Sequence, residues 1–120
     1  MKLLANGLVL LVAAEHVWFL VLEMFLWAKP LGLKTFRMTL EQAKASATLA
    51  ANQGLYNGFL AAGLIWGLLA RPPEHALAIK VFFLACVVAA GVFGSLTVSR
   101  RILLVQALPA ALALAVQFLV

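Results

Sequence analysis

Asn52-Gln53-Gly54-Leu55-Tyr56-Asn57-Gly58 opens an apolar run that continues Phe59-Leu60-Ala61-Ala62-Gly63-Leu64-Ile65-Trp66-Gly67-Leu68-Leu69. Four hydrogen-bonding side chains stand within six positions, at the head of a stretch suited to a lipid solvent. In a helix each residue turns the chain by ~100°. Asn52 and Tyr56 then share one line, and Gln53 and Asn57 share the next. Gly54 and Gly58 lie on the side away from Asn52 and Tyr56. The same helix therefore offers polar groups that need partners and a smooth face that admits another backbone.

The rest of the chain sets that helix in a membrane. Of 120 residues, 66% are hydrophobic and 11% charged, where a soluble domain has about 45–50% and about 25%. Mean hydropathy is +1.10. The net charge of +5 reads as membrane topology, and nucleic acid is not an expected partner. A single cysteine, Cys86, lies inside an apolar run. It allows no intrachain disulfide and no zinc cluster, and reads as a small apolar filler.

Four apolar spans are expected, at about 3–27, 48–69, 77–99 and 102–120. The first begins like a secretory leader. Its apolar character resumes at Val17 and runs to Trp27, so it reads as a retained span. Residues 28–47 form the polar connector, where Pro30 and Gly32 break the first helix. Thr39 and Gln42 have the spacing of a capping box, which starts the second helix near Leu40. Arg71-Pro72-Pro73-Glu74-His75 is a tight connector, since paired prolines stop a helix. Gly91 and Ser95 form a small-xxx-small pair in the third run. Arg100 and Arg101 end that run, and Pro109 kinks the fourth. The expected fold is all-α: a single-domain four-helix transmembrane bundle with antiparallel neighbours and both termini on one side.

Six basic residues (Lys29, Lys34, Arg37, Lys44, Arg100, Arg101) flank the first and third connectors, against three (Lys2, Arg71, Lys80) on the terminal side. The positive-inside rule then puts both termini outside the cytoplasm. The expected location is a bacterial inner membrane.

Ionisable side chains at bilayer depth cost ~2.5–3.5 kcal/mol on insertion scales and face a bundle interior or a wet cavity. Glu15, His16 and Glu23 are such groups in the first span, and His16 and Glu23 share a face two turns apart. Counting from the cytoplasmic ends, Glu23, the Asn52 to Asn57 cluster and Gln106 fall at one depth. A ligand-binding pocket of Glu23, Asn52, Gln53, Tyr56, Asn57 and Gln106 follows, with His16 deeper. Glu23 is expected to touch at least one of Asn52, Gln53, Tyr56 and Asn57. The bland alternative is glue, since amides in bundles bond across helices for ~0.6 kcal/mol per pair.

No dinucleotide or phosphate loop is present, nor a nucleophile elbow. One membrane histidine and two glutamates are not in zinc-protease spacing, so no metal is expected, and the cofactor is left open. Three functions remain open. The favoured one binds or transports a small lipophilic or cationic molecule in a homo-oligomer, with Glu15 or Glu23 coupling protons. The second is a membrane enzyme acting on a lipophilic substrate, with Glu23 or His16 as acid or base and Tyr56 as donor. The third is a partner subunit without chemistry.

His16, Leu22-Glu23-Met24-Phe25-Leu26-Trp27, Ala50–Leu64, Phe82-Phe83-Leu84-Ala85-Cys86-Val87 and Gln106-Ala107-Leu108-Pro109-Ala110 together resemble the small four-helix membrane family known as domain of unknown function 1304. The resemblance covers nearly the whole chain and implies architecture without an activity. The chain is also similar in length and helix number to the membrane-associated eicosanoid and glutathione metabolism family, whose members are glutathione-binding trimers. That family sets Arg and Glu beside its helix-two asparagine. Here Ala50 and Ala51 precede Asn52 and neither partner is present.

Overall fold

The computed structural model describes Met1–Val120. The chain is all-α: α1 Lys2–Met24, α2 Pro30–Phe36, α3 Leu40–Leu69, α4 Pro73–Thr97 and α5 Leu108–Gln117, with a π-helical segment, Leu103–Ala107, directly before α5. Two helices, α1 and α4, are long and apolar enough to cross a membrane. Four had been expected. The second expected span, within the 30-residue α3, has the length, but Asn52, Gln53, Tyr56 and Asn57 lower its hydropathy. The fourth run is divided, and its helical stretch Leu103–Gln117 is short.

The chain forms two compact units. Met1–Ala14 and Leu60–Val120 make the first, and Glu15–Phe59 the second.

In the first unit, one buried cluster draws Val9, Val12 and Ala13 from α1, Leu64 from α3, Leu84 and Val87 from α4, and Ala110 and Ala113 from α5. On α1 and α4 these positions recur at helical spacing, so one stripe of each helix is buried. The α4 stripe continues to Gly91, and the close approach there depends on that glycine. A Cβ at Gly91 would lie 2.6 Å from the Ala107 nitrogen, so α4 meets the π segment at backbone distance. Ser95, the other half of the expected small pair, bonds instead to its own helix at the Val92 carbonyl (2.7 Å).

Pro109 accounts for the π segment. Proline has no N–H and its ring crowds the carbonyl four residues back, here Val105. The preceding turn is widened, with the Leu108 N–H donating to the Leu103 carbonyl, five residues back. The expected kink takes the form of a π turn.

The second unit joins the end of α1 to the start of α3 through α2. That short helix was not expected, because Pro30 and Gly32 read as breakers. Pro30 instead occupies the first turn of α2, where its fixed φ suits helix initiation. Gly32 is buried against the Leu26 and Trp27 carbonyls. The Trp27 indole N–H donates to Ser46 Oγ at 3.1 Å, and the Trp27 ring packs on Phe36 with centroids 4.8 Å apart. The capping box forms as expected: Thr39 N–H donates to Gln42 Oε1 (2.9 Å) and Gln42 N–H to Thr39 Oγ1 (3.1 Å).

Candidate functional site

The second unit brings the end of α1 against the first half of α3. Gly54 sets the spacing: a Cβ there would lie 2.6 Å from Met24 Cγ and 3.1 Å from Glu23 Cβ. Asn57, three residues on, falls near the same line of α3. Its side chain therefore enters the seam at the level of Glu23, and Asn57 Nδ2 donates to Glu23 Oε1 at 2.5 Å. Asn57 is 6% exposed and Glu23 is half-buried. The amide is a neutral donor. It fixes one carboxylate oxygen and leaves the group free to hold a proton or a cation on its remaining lone pairs.

His16 lies two turns earlier on α1 and is fully buried. Its ring meets Phe19 edge-on, with centroids 5.2 Å apart. Glu15, next to it, is half-exposed, yet its Oε1 is buried with no hydrogen-bond partner. Buried polar atoms are almost always paired, so this carboxyl is a second position at which a proton or donor would be accepted.

The remaining residues are placed differently. Asn52, Gln53 and Tyr56 are exposed. The buried line of α3 runs through Ala50, Gly54, Asn57, Ala61 and Leu64, and Asn52 and Tyr56 lie on the far side of the helix from it. Only Asn57 of the four turns inward. Gln106 belongs to the π segment of the first unit and is half-buried. No group of three His, Cys, Asp or Glu side chains with the geometry to hold a metal is present.

Two polar links in the first unit were not anticipated. Lys80 Nζ donates to Asn6 Oδ1 at 3.1 Å. Gln117, 5% exposed, donates through Nε2 to the Ala5 carbonyl (3.3 Å) and the Ala113 carbonyl (3.1 Å). The available signal was a polar residue inside each outer apolar run. Which residues would meet depended on the packing of α1, α4 and α5.

No solved structure matches the chain. It is 34% identical to "Uncharacterized protein YpaA" of Lactococcus lactis subsp. lactis (strain IL1403), over 98% of this chain and 99% of that protein. Residues 10–118 match the family described as "Protein of unknown function (DUF1304)", and the chain belongs to that family.

Proposed function

We propose that the chain is a multi-pass integral membrane protein, with termini outside the cytoplasm, that binds or transports a small lipophilic or cationic molecule at Glu23 and Asn57. The binding reading rests on one observation: a carboxylate held by a buried amide in the seam between two helices. Such a group is costly in an apolar setting and marks a functional site by default.

The membrane reading is supported by where the apolar helices face. Of the most apolar 18 residues of α4 only 17% are buried, and of α1 only 28%. A helix that is apolar on every side is either buried in a core or spans a membrane. Leu3, Leu96 and Phe93 are 88%, 80% and 69% exposed, which suits contact with lipid. In this reading α3 and the π–α5 run are the remaining spans. Asn52 and Tyr56 would then face hydrocarbon, where an unsatisfied polar group costs several kcal/mol. A second copy of the chain, offering the same donors and acceptors, satisfies them, so the working state is a homo-oligomer.

Native mass spectrometry of the detergent-extracted protein tests this reading. The expected spectrum shows an oligomer carrying a small lipophilic or cationic molecule that Glu23→Gln removes. An empty monomer for both proteins contradicts it.

A further inference from the structure

We infer that the cleft lined by Lys2, Arg71 and Lys80 in the first unit binds the phosphate group of an anionic amphiphile. This site is separate from Glu23. The phosphate half of the inference stands on the cleft itself, and the amphiphile half rests on the membrane reading above.

The cleft has a volume of about 480 Å³. Residues distant in sequence build it: Lys2 and Asn6 from α1, Arg71 from the connector, Lys80 from α4 and Gln117 from α5. Three of the chain's nine basic residues line it and none of its four acidic residues does. Glu74, in the first turn of α4, is exposed and is not a lining residue. Val120 also lines the cleft; even with a main-chain carboxylate there set against the three cations, the lining stays net positive, so an anion entering it gains.

The site is also preformed. Gly67 lets the Lys80 stem lie against α3: a Cβ there would be 2.6 Å from Lys80 Cγ. The ammonium group then reaches Asn6 Oδ1 at 3.1 Å. Asn6 accepts one of three N–H donors and two remain for a ligand. Gln117 ties α5 to α1 through the Ala5 carbonyl, and both residues line the cleft. An ammonium group is a compact point charge suited to phosphate oxygens, and the Arg71 guanidinium adds a forked donor.

On the proposed orientation these three basic residues lie outside the cytoplasm, where the positive-inside rule does not call for them. Leu77, beside Lys80, gives the cleft an apolar wall as well. A charged rim over an apolar wall fits a headgroup with the start of its tail.

The test uses the purified full chain in uncharged detergent, offered phosphatidylglycerol or phosphatidylcholine, with bound lipid counted by native mass spectrometry. Wild type is expected to retain phosphatidylglycerol over phosphatidylcholine. Lys2→Gln and Arg71→Gln, both at exposed positions, should each weaken that retention about fivefold, with unchanged circular dichroism. Glu23→Gln should bind it like wild type, which separates this site from the proposed ligand site. Displacement by millimolar inorganic phosphate assigns the site to free phosphate, and resistance to it assigns the site to lipid. Both outcomes support an anion site. Should the chain dissolve without detergent, a rise in Tm with inorganic phosphate that Arg71→Gln abolishes supports the phosphate half alone. Equal retention of the two lipids, or full retention by a folded Lys2→Gln/Arg71→Gln double variant, overturns the inference.

Discussion

Asn57 on α3 donates its amide hydrogen to the Glu23 carboxylate on α1, at the level where Gly54 brings the two helices together. The pair couples packing to chemistry. The glycine provides proximity, and the proximity supplies a buried donor to the carboxylate.

Removing the donor should therefore cost more than altering the acceptor. Asn57→Ala leaves a carboxylate oxygen unpaired in the seam and should destabilise the protein by ~1–3 kcal/mol. Glu23→Gln keeps a carbonyl oxygen for Asn57 and should fall within ~0.5 kcal/mol of wild type. A double-mutant cycle with Glu23→Ala and Asn57→Ala should give a coupling of ~0.6–1.7 kcal/mol, the range for bonds between membrane helices. Denaturation in mixed micelles measures it. Strict additivity would mean the bond is absent in solution.

The glycines separate by what surrounds them. Gly91→Ala drives a Cβ to within 2.6 Å of the Ala107 nitrogen, which belongs to backbone and cannot swing aside. Overpacking of that kind costs ~1–3 kcal/mol. Gly7→Ala meets no atom within 4 Å and should be neutral or stabilising by up to ~1 kcal/mol, the helix-propensity gain. Thermal unfolding of the two variants should move in opposite directions, or only for Gly91→Ala.

Sequence patterns carried the local structure well and the long-range placement unevenly. Thr39 and Gln42 announced a capping box because its spacing is a property of one turn. Glu23 and Asn57 could be matched by depth because antiparallel neighbours share a ruler of ~1.5 Å per residue. Depth is silent on rotation about the helix axis. Polarity alone groups Asn52, Gln53 and Tyr56 with Asn57, yet the glycine face packs inward and turns those three out. Pro30 reads as a breaker in the sequence, and its position at the first turn of α2 makes it an initiator. The Lys80–Asn6 link joins residues 74 apart, and no local pattern encodes it.

Thr39→Ala removes the oxygen that accepts from the Gln42 N–H. The start of α3 should lose ~1 kcal/mol, the usual cost of an N-cap. Hydrogen exchange resolved by residue should show faster exchange at Gln42, with no change at Leu64 in the first-unit core.

The basic residues give a test of orientation. A reporter active only outside the cytoplasm, fused after Val120, should be active on the proposed topology. Replacing Lys29, Lys34, Arg37 and Lys44 with glutamine should lower that activity by removing most of the cytoplasmic charge bias.

The central claim, that Glu23 takes a ligand in the membrane interior, is tested most directly by equilibrium binding of a lipophilic phosphonium cation to the protein in neutral-lipid nanodiscs. Saturable binding is expected for wild type and for Lys80→Gln, and its loss in Glu23→Gln. Binding that is equal in wild type and Glu23→Gln, or no greater than in empty nanodiscs, would contradict it.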